Sequence, residues 1–329
     1  MKNRKGGLVD TVAVVLEAPE TLALCRLDLI PAGDEDVVVD VAFSGISTGT
    51  ERLLFTGRMP PFPGMGYPLV PGYESIGTVT QAGALSGRAV GDHVFVPGAR
   101  CFGPRAGVPV RGLFGGAASR LVVPASRVMP IDPDLGVDGV LMALAATAQH
   151  AIAPLGATHH VPPELIVGHG VLGRLIARLV IAAGAPAPTV WEKNPDRFGG
   201  ARGYQVIRAE DDPRRDYRSI CEVSGDGAML DTLIARLAPA GEVILAGFYA
   251  APLSFAFPPA FMREARLRIA TEFKEPDLIA VRDHLAAGRL SLDGLVTHHR
   301  APDAAENAYR TAFSDAACLK MVIDWGTTQ

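Results

Sequence analysis

Residues 165–184, LIVGHGVLGRLIARLVIAAG, hold the pattern that decides the fold of this chain. The apolar run Leu165–Val167 predicts a buried strand. Gly168, Gly170 and Gly173 follow in the spacing G-x-G-x-x-G, and apolar residues then recur at helical intervals. Because a strand, a glycine turn and a helix follow one another here, the spacing indicates a dinucleotide-binding site.

Each glycine has a separate physical role in such a site. The first permits a tight turn, the second lets the backbone approach a pyrophosphate, and the third lets the helix pack closely on the strand. The free N–H groups at the start of the helix then face the diphosphate. We therefore expect the cofactor to bind at Gly168, Gly170, Val171, Leu172 and Gly173.

The next predicted strand, Thr189–Trp191, ends in an acid, Glu192, 24 residues after Gly168. A carboxylate at this place accepts hydrogen bonds from the ribose 2′-hydroxyl and repels a 2′-phosphate, so it favours NAD over NADP. Lys193 and Arg197 lie close by in the sequence and weaken that preference. The alternative is a doubly wound domain with a tight glycine turn and no nucleotide.

Length and composition limit the possible classes of protein. The 329 residues predict two domains, and a hydrophobic content of 48% supports large cores. A net charge of −4 gives no reason to expect nucleic acid or an anionic membrane as a partner. No apolar run approaches the roughly 18–20 residues of a membrane span, and Val12–Leu16 is too short for a signal sequence. The four cysteines are dispersed, which favours a reducing compartment, and we expect a cytoplasmic enzyme.

Residues 10–130 predict a first domain made of turns and short strands, the strands at 12–16, 37–43, 75–80, 93–97 and 121–124. Within it, residues 55–72, FTGRMPPFPGMGYPLVPG, contain five prolines and four glycines and predict an irregular loop. This loop is more apolar than a solvent-facing loop should be. It either packs against the second domain or forms a wall over a large apolar substrate.

Strands and helices alternate in the part of the chain that follows a predicted bridge helix at 137–153. This alternation predicts an α/β domain with a doubly wound parallel sheet, whose ligands lie at the carboxyl ends of the strands. Gly225, Ala246 and Gly247 therefore become candidate neighbours of the nicotinamide. The tail, residues 276–329, contains two predicted helices, at 277–287 and 304–312, and two predicted strands, at 294–298 and 319–325. It is expected to pack back on the first domain.

Several segments together resemble the medium-chain dehydrogenase/reductase superfamily. They are SGISTGTE (44–51), PGYESIGTV (71–79), GDHV (91–94), GGAASRLVVP (115–124), TAQHA (147–151), VGHGVLG (167–173), LAPAGEVILAGF (237–248) and LKMVIDW (319–325). The resemblance implies a GroES-like β-barrel domain at 1–145, completed by 274–329, and a Rossmann domain at 146–273. It also implies a possible homodimer.

The stretch GISTGTERLLFTGRMPPFPGMGYPLVPGYES resembles, more narrowly, the bacteriochlorophyllide a dehydrogenase branch of that superfamily. The resemblance implies oxidation of the 3-(1-hydroxyethyl) group of a bacteriochlorophyllide to a 3-acetyl group, with NAD as the hydride acceptor. A flat macrocycle needs a broad apolar cleft, which loop 55–72 could supply. The substrate-binding candidates are Arg58, which could pair with the propionate or be solvated, and Met59, Phe62, Met65 and Tyr67.

The zinc ligands of the metal-dependent members of the superfamily are replaced in this chain. Ser47 stands where those members have a cysteine, Tyr73 stands where they have a histidine, and residues 141–148, LMALAATA, contain no ligand. Hydroxyl groups and alanines do not make a zinc site. We therefore expect no zinc, although Glu51, Glu74 and His150 could still form an unusual metal site.

Without a metal, protein groups must orient the alcohol and accept its proton. Tyr73 is the first candidate for orienting the alcohol oxygen, and Ser47 and Thr50 could pass the proton to solvent. His150 titrates in a suitable range, but it could equally be a structural histidine. These four residues are the predicted catalytic group.

Two other functions stay open at this point. The first is a zinc-type polyol or sugar dehydrogenase, against which the replaced ligands argue. The second is a non-catalytic NAD(H)-binding protein, such as a redox sensor or scaffold, because no obvious proton-transfer triad is present.

Overall fold

A computed structural model describes residues 10–153 and 161–328 of the chain. The chain divides into two compact units. Met1–Leu141 and Val296–Gln329 form the first, and Met142–Leu295 forms the second.

The strands and helices, in chain order, begin with β1 (Asp10–Ala18), β2 (Thr21–Asp28), β3 (Asp36–Ile46), α1 (Thr50–Phe55), β4 (Ser75–Ala82), β5 (His93–Val96), β6 (Arg120–Pro124) and β7 (Met129–Pro130). They continue with α2 (Met142–Ile152), β8 (Leu165–Val167), α3 (Val171–Ala182), β9 (Thr189–Trp191), β10 (Gln205–Ile207), β11 (Tyr217–Glu222), α4 (Leu230–Arg236), β12 (Leu237–Leu245), α5 (Phe257–Met262), β13 (Arg266–Ile269) and α6 (Glu275–Ala286). They end with β14 (His298–Arg300), α7 (Ala305–Ser314) and β15 (Met321–Asp324).

A seven-stranded sheet organises the first unit, with the order β14-β15-β3-β4-β5-β7 and with β6 paired to β3. All its pairs are antiparallel except β14–β15, and β1 and β2 form a separate antiparallel pair. Valines of β1, β3 and β4 fill the core together with Trp325 from the returning tail. The tail from Val296 onward thus supplies two strands and part of the core, whereas the sequence predicts this packing for all of residues 276–329.

The sequence interpretation is wrong in three places within this unit. It lacks α1, a six-residue helix that is too short to show a period and is held by the burial of Leu54 and Phe55. It also lacks β2, whose side chains are mostly exposed or half-buried. It places the first tail strand at residues 294–298, whereas β14 forms at His298–Arg300 because its partner in β15 is Met321–Ile323.

A six-stranded parallel sheet organises the second unit, in the order β10-β9-β8-β11-β12-β13. Every pair in it is parallel, which confirms the predicted doubly wound α/β architecture. Residues 274–295 also belong to this unit, whereas the sequence interpretation gives them to the first domain. The physical reason is that α6 packs on α2 and buries Leu278 and Val281.

The bridge predicted at 137–153 is broken in two. Residues 133–141 form 3₁₀ turns that are interrupted at Gly136 (φ 49°, ψ −136°), and α2 follows them.

Pro133–Ile152 is long and apolar enough for a membrane span by length and composition, contrary to the sequence expectation. However, 61% of its most apolar stretch is buried inside the protein, as is found in the core helix of a soluble protein.

Candidate functional site

Each glycine of the G-x-G-x-x-G spacing, in the turn between β8 and α3, has a distinct environment. Gly168 has a φ of +109°, and a Cβ there would come within 3.1 Å of the Ser224 backbone. A Cβ at Gly173 would lie 1.9 Å from the Gly168 carbonyl oxygen, so helix and strand are packed as closely as glycine allows. A Cβ at Gly170, by contrast, would meet nothing within 4 Å. The open side of the turn is therefore at Gly170, where a pyrophosphate can approach the backbone.

Glu192 lies directly after β9 and connects this turn to the next loop. Its Oε2 accepts a hydrogen bond from the backbone N–H of His169 (3.0 Å), and its Oε1 accepts one from that of Asn194 (2.8 Å). The side chain is 9% exposed. The carboxylate thus fixes the glycine turn in addition to the ribose contact that the sequence predicts for it.

A buried polar group that the sequence interpretation overlooks supports the same turn. The guanidinium of Arg174 donates from Nε to the His169 carbonyl oxygen (3.1 Å) and from Nη2 to that of Arg197 (3.1 Å). The His169 ring is hydrogen-bonded to the Arg197 carbonyl oxygen (2.6 Å) and to the Tyr204 hydroxyl (2.9 Å). Burial lowers the pKa of His169 to about 4, so the ring is neutral at pH 7 and has a structural role.

Gly225, Ala246 and Gly247 lie at the carboxyl ends of β11 and β12, where the fold predicts the nicotinamide. A Cβ at Gly247 would come within 3.1 Å of the Gly225 backbone nitrogen, so the two segments are in close contact. The buried Glu222 carboxylate holds them, because it accepts hydrogen bonds from Ser224 and from the Tyr249 hydroxyl. A single acid at the end of a strand gives no periodic signal, and this role is not visible in the sequence.

A pair of hydroxyl groups is the central feature of the first unit's candidate site. The Ser47 Oγ and the Tyr73 Oη are 2.5 Å apart and share a hydrogen bond. Burial raises the pKa of Tyr73 above its usual value, the charge of Glu74 raises it further, and hydrogen bonds to Ser47 and Thr50 lower it less. The phenol therefore stays protonated at physiological pH and can donate a hydrogen bond to an alcohol oxygen.

Two fully buried acids lie next to these hydroxyls. Glu51 accepts hydrogen bonds from the Ser47 backbone N–H (3.0 Å) and the Tyr309 hydroxyl (2.7 Å). Glu74 forms an ion pair with Lys320, whose Nζ lies 2.6 Å from Oε2. Tyr309 and Lys320 come from the tail, and the sequence interpretation does not predict their roles. A lysine directly before the apolar strand β15 is a signal that could have shown the role of Lys320.

Burial raises the pKa of Glu51 to about 7, and this shift predicts a pH-dependent stability. Between the unfolded pKa of 4.5 and about 7 the folded state binds more protons, so stability falls as pH rises through this window. We expect Glu51→Gln to remove this fall, which is on the order of 3 kcal/mol. Urea unfolding of the wild type and the variants at pH 5, 6, 7 and 8 measures the pH dependence of the free energy of unfolding. The exposed Glu35→Gln should keep the wild-type dependence, and equal slopes in all three proteins would contradict the assignment.

His150 has an environment that favours a structural role over the predicted catalytic one. Its Nδ1 lies 2.8 Å from the Asp277 carboxylate, and its Nε2 lies 3.2 Å from the Thr271 hydroxyl. Its side chain is 2% exposed. Both ring nitrogens thus have partners within the second unit, and the pair joins α2 to α6.

The apolar side chains of loop 55–72 are mostly used within the first unit itself. Met59 belongs to its core, and Met65 and Tyr67 pack against that core half-buried. The Tyr67 hydroxyl donates to the Leu54 carbonyl oxygen. Phe62, at 38% exposure, and Arg58 remain at the surface. Of the predicted substrate-binding residues, these two are the most exposed.

The donor set around Ser47 does not suit zinc. Within residues 10–153 and 161–328, no group of three or more His, Cys, Asp or Glu side chains could hold a metal ion. Ser47 and Tyr73 offer hydroxyl oxygens that bond each other, and Glu74 is paired with Lys320. Structural and catalytic zinc sites use Cys, His or carboxylate ligands in tetrahedral geometry.

Comparison with known proteins identifies the family. The model of the alcohol dehydrogenase GroES-like domain matches residues 33–133. A 2-desacetyl-2-hydroxyethyl bacteriochlorophyllide A dehydrogenase from Cereibacter sphaeroides is 55% identical over 97% of this chain and 99% of its own length. The chain belongs to the bacteriochlorophyllide a dehydrogenases of the medium-chain dehydrogenase superfamily. It is therefore an alcohol-type oxidoreductase, and the interpretation as a non-catalytic nucleotide-binding protein is not supported.

Solved structures share the fold. An alcohol dehydrogenase from Escherichia coli complexed with NADH has a TM-score of 0.78 at 19% identity, covering 97% of this chain and 100% of the other. A dehydrogenase from Sinorhizobium meliloti bound to NADP has a TM-score of 0.79 at 18% identity, covering 96% and 99%. At sequence identities this low, the structural similarity establishes the fold of this chain and nothing further. It does not select between the two dinucleotides.

Proposed function

We propose that this chain oxidises the 3-(1-hydroxyethyl) group of a bacteriochlorophyllide to a 3-acetyl group, with NAD as the oxidant, as a step of bacteriochlorophyll a synthesis in the cytoplasm. The observation that carries the proposal is the 55% identity, across 97% of the chain, to a 2-desacetyl-2-hydroxyethyl bacteriochlorophyllide A dehydrogenase. The open glycine turn and the Ser47–Tyr73 hydroxyl pair supply the two chemical functions that this reaction needs.

The second unit supplies the groups that would hold the dinucleotide. The N–H groups of the turn from Gly168 to Gly173 face the diphosphate, with room at Gly170. Glu192 would accept from the adenosine ribose, and the close contact of Gly225 with Gly247 brings the ends of β11 and β12 together where the nicotinamide end would lie. When bound, NAD provides the acceptor for the hydride that leaves the carbinol carbon.

The first unit supplies the groups that act on the alcohol oxygen. Tyr73 donates a hydrogen bond to this oxygen and orients it, because its raised pKa keeps the phenol protonated. Ser47 and Thr50, which hydrogen-bond the phenol, carry the hydroxyl proton away toward solvent. The Glu51 carboxylate holds the Ser47 backbone in place.

The reaction is proposed to proceed without zinc, because hydroxyl groups stand at the positions where zinc-dependent relatives carry ligands. Elemental analysis of the purified protein tests this point. We expect less than about one tenth of an equivalent of zinc per chain and unchanged activity after treatment with a chelator. One equivalent of zinc, lost together with activity, would instead favour a zinc-type dehydrogenase.

Turnover of the pigment itself tests the proposed function. The purified protein is incubated with NAD and the 3-hydroxyethyl bacteriochlorophyllide, and the absorption spectrum and NADH formation are followed together. We expect a shift of the long-wavelength absorption band, because an acetyl group extends the conjugation of the macrocycle, and one NADH per pigment oxidised. No shift and no NADH would end the proposal.

Replacement of Glu192 tests the preference for NAD. Glu192→Gln keeps the size and one acceptor of the side chain but removes the charge that repels a 2′-phosphate. We expect the ratio of kcat/KM with NAD to that with NADP to fall about tenfold, or about 1.4 kcal/mol. The exposed Asp196→Asn, four residues further on, is the control and should leave the ratio unchanged. An unaltered ratio in Glu192→Gln would remove this residue from cofactor selection.

The proposed assembly is a homodimer formed through the second unit. Phe257, Phe261 and Met262 of α5 are 68%, 65% and 76% exposed, and Ile269 of the edge strand β13 is 62% exposed. Large apolar side chains exposed together at a sheet edge are costly in a monomer and mark an interaction surface. Analytical ultracentrifugation of the full chain measures the oligomeric state. A monomer at micromolar concentration would contradict the proposed homodimer.

A further inference from the structure

A cavity of about 370 Å³ opens on the first unit beside loop 55–72. Pro63 and Gly64 of the loop form one wall, and Arg100, Phe102 and Arg111 form much of the other. Its volume is at the lower end of the range for small-molecule sites, so it accepts one edge of a large ligand and not a whole macrocycle. Among the lining residues that the structure describes, two are arginines and none is acidic.

Arg100 and Arg111 differ from the nearby Arg105 in having no acidic partner within the described part of the chain. Arg105 is neutralised by an ion pair with Glu17 at 2.5 Å. Neither Arg100 nor Arg111 has a carboxylate within ion-pair distance or a side-chain hydrogen bond among the residues described, 10–153 and 161–328. Two guanidinium groups of like charge thus share one cavity without a counter-ion from the protein, which makes the cavity attractive to an anion.

The backbone around the cavity is built to hold these groups in place. Arg111 lies over Gly66, where an added Cβ would come within 2.7 Å of its Nε. The Arg111 backbone forms a short ladder with the loop, donating to the Pro68 carbonyl oxygen (2.9 Å) and accepting from the Val70 N–H (2.8 Å). In the same part of the fold, Gly112 approaches the Arg100 Cα so closely that a Cβ on Gly112 would be 3.1 Å away.

Consecutive residues of one segment contact the cavity and the Tyr73 ring. Leu113 lines the cavity. Phe114, the next residue, has its ring 5.1 Å from the ring of Tyr73, in an edge-to-face contact. A large flat ligand whose alcohol reaches Tyr73 therefore extends naturally past Phe114 toward the two arginines.

We propose that Arg100 and Arg111 bind the propionate carboxylate of the pigment and thereby select the free acid over its ester. The assignment rests on the proposed function, because it is a bacteriochlorophyllide that carries this free carboxylate on the edge of an apolar macrocycle. It replaces Arg58 as the partner of the propionate, since Arg58 does not line the cavity. A guanidinium fork binds a carboxylate through two parallel hydrogen bonds, whereas an ester offers no charge.

The test compares the free acid with its methyl ester, in turnover and in equilibrium binding followed by pigment fluorescence without NAD. We expect the wild type to have a KM and a Kd for the acid at least tenfold below those for the ester. Arg100→Gln and Arg111→Gln should each raise the values for the acid about fivefold to tenfold and leave the ester values and kcat within about twofold. Arg127→Gln, an exposed arginine of the same unit, is the control and should behave as the wild type.

The outcomes separate this inference from the proposed function. Turnover of acid and ester with equal KM and Kd would overturn the carboxylate site and leave the function intact. Acid-selective binding that both variants abolish, without any turnover, would support the site and overturn the function. Selectivity that is lost in Arg58→Gln and kept in the two variants would return the propionate to Arg58 and overturn the inference.

Discussion

Gly170→Ala is expected to yield a stable protein that binds NAD(H) 10- to 100-fold more weakly than the wild type. The backbone at Gly170 (φ −76°, ψ −172°) is open to alanine, and an added Cβ meets no protein atom within 4 Å. The methyl group therefore occupies only the space in which the pyrophosphate would lie. Titration with NADH, followed by its fluorescence, measures the affinity, and thermal unfolding without ligand measures the stability.

Gly173→Ala is the matched comparison, because the same methyl group there would lie 1.9 Å from the Gly168 carbonyl oxygen. We expect this variant to lose more than about 3 kcal/mol of unfolding free energy or to fail to fold, since the helix must move away from the strand. If Gly170→Ala instead retained full NADH affinity, the dinucleotide would not rest on this turn. Equal stability of the two variants would contradict the close packing at Gly173.

Tyr73→Phe is expected to lower kcat about 100- to 1000-fold while NADH binding stays unchanged. The variant keeps the ring and its contact with Phe114 but removes the hydroxyl that is proposed to orient the alcohol oxygen. The lost hydrogen bond to Ser47 costs about 1 kcal/mol of stability, too little to unfold the protein. Initial rates with the pigment alcohol give kcat, and a substrate deuterated at the carbinol carbon shows whether hydride transfer limits the rate.

Tyr217→Phe serves as the control for this experiment. It also removes a buried phenol, which donates to Asp212 at 2.7 Å, but this residue lies in the second unit's core. Its kcat should stay within about threefold of the wild type. A Tyr73→Phe variant with the same small change would exclude the phenol from the reaction and move the search for the orienting group to Ser47 and Thr50.

The glycine turn and its flanking strand and helix could be predicted because the sequence pattern that specifies them is local. A three-residue apolar strand, the glycine spacing and an amphipathic helix follow one another within Leu165–Ala182, so the backbone geometry depends on neighbouring residues alone. The parallel sheet follows from the same alternation, since βαβ units have one favoured handedness. The positions of Glu192, Gly225 and Gly247 at strand ends were predictable for this reason.

Partners that are distant in the sequence were not open to prediction in this way. Glu51 and Tyr309 are 258 positions apart, and Glu74 and Lys320 are 246 apart. No periodicity relates such residues, because the first contact depends on the packing of α7 against α1 and the second on the antiparallel pairing of β15 with β3. His150 was placed correctly on a helix, but whether its ring reacts or packs depends on Asp277, which reaches it from α6.

The sequence by itself thus determined the dinucleotide turn, the class of both sheets and the replacement of the zinc ligands by hydroxyl groups. These are properties of residue type and short spacing, which the chain carries before it folds. Only the tertiary structure decided that Tyr73 stays protonated and that most apolar side chains of loop 55–72 pack against the core of their own unit. It also decided that Arg100 and Arg111 line one cavity with no carboxylate partner among the residues that the structure describes. Each of these depends on burial or on a partner from another segment, and both arise when distant strands pair and exclude water.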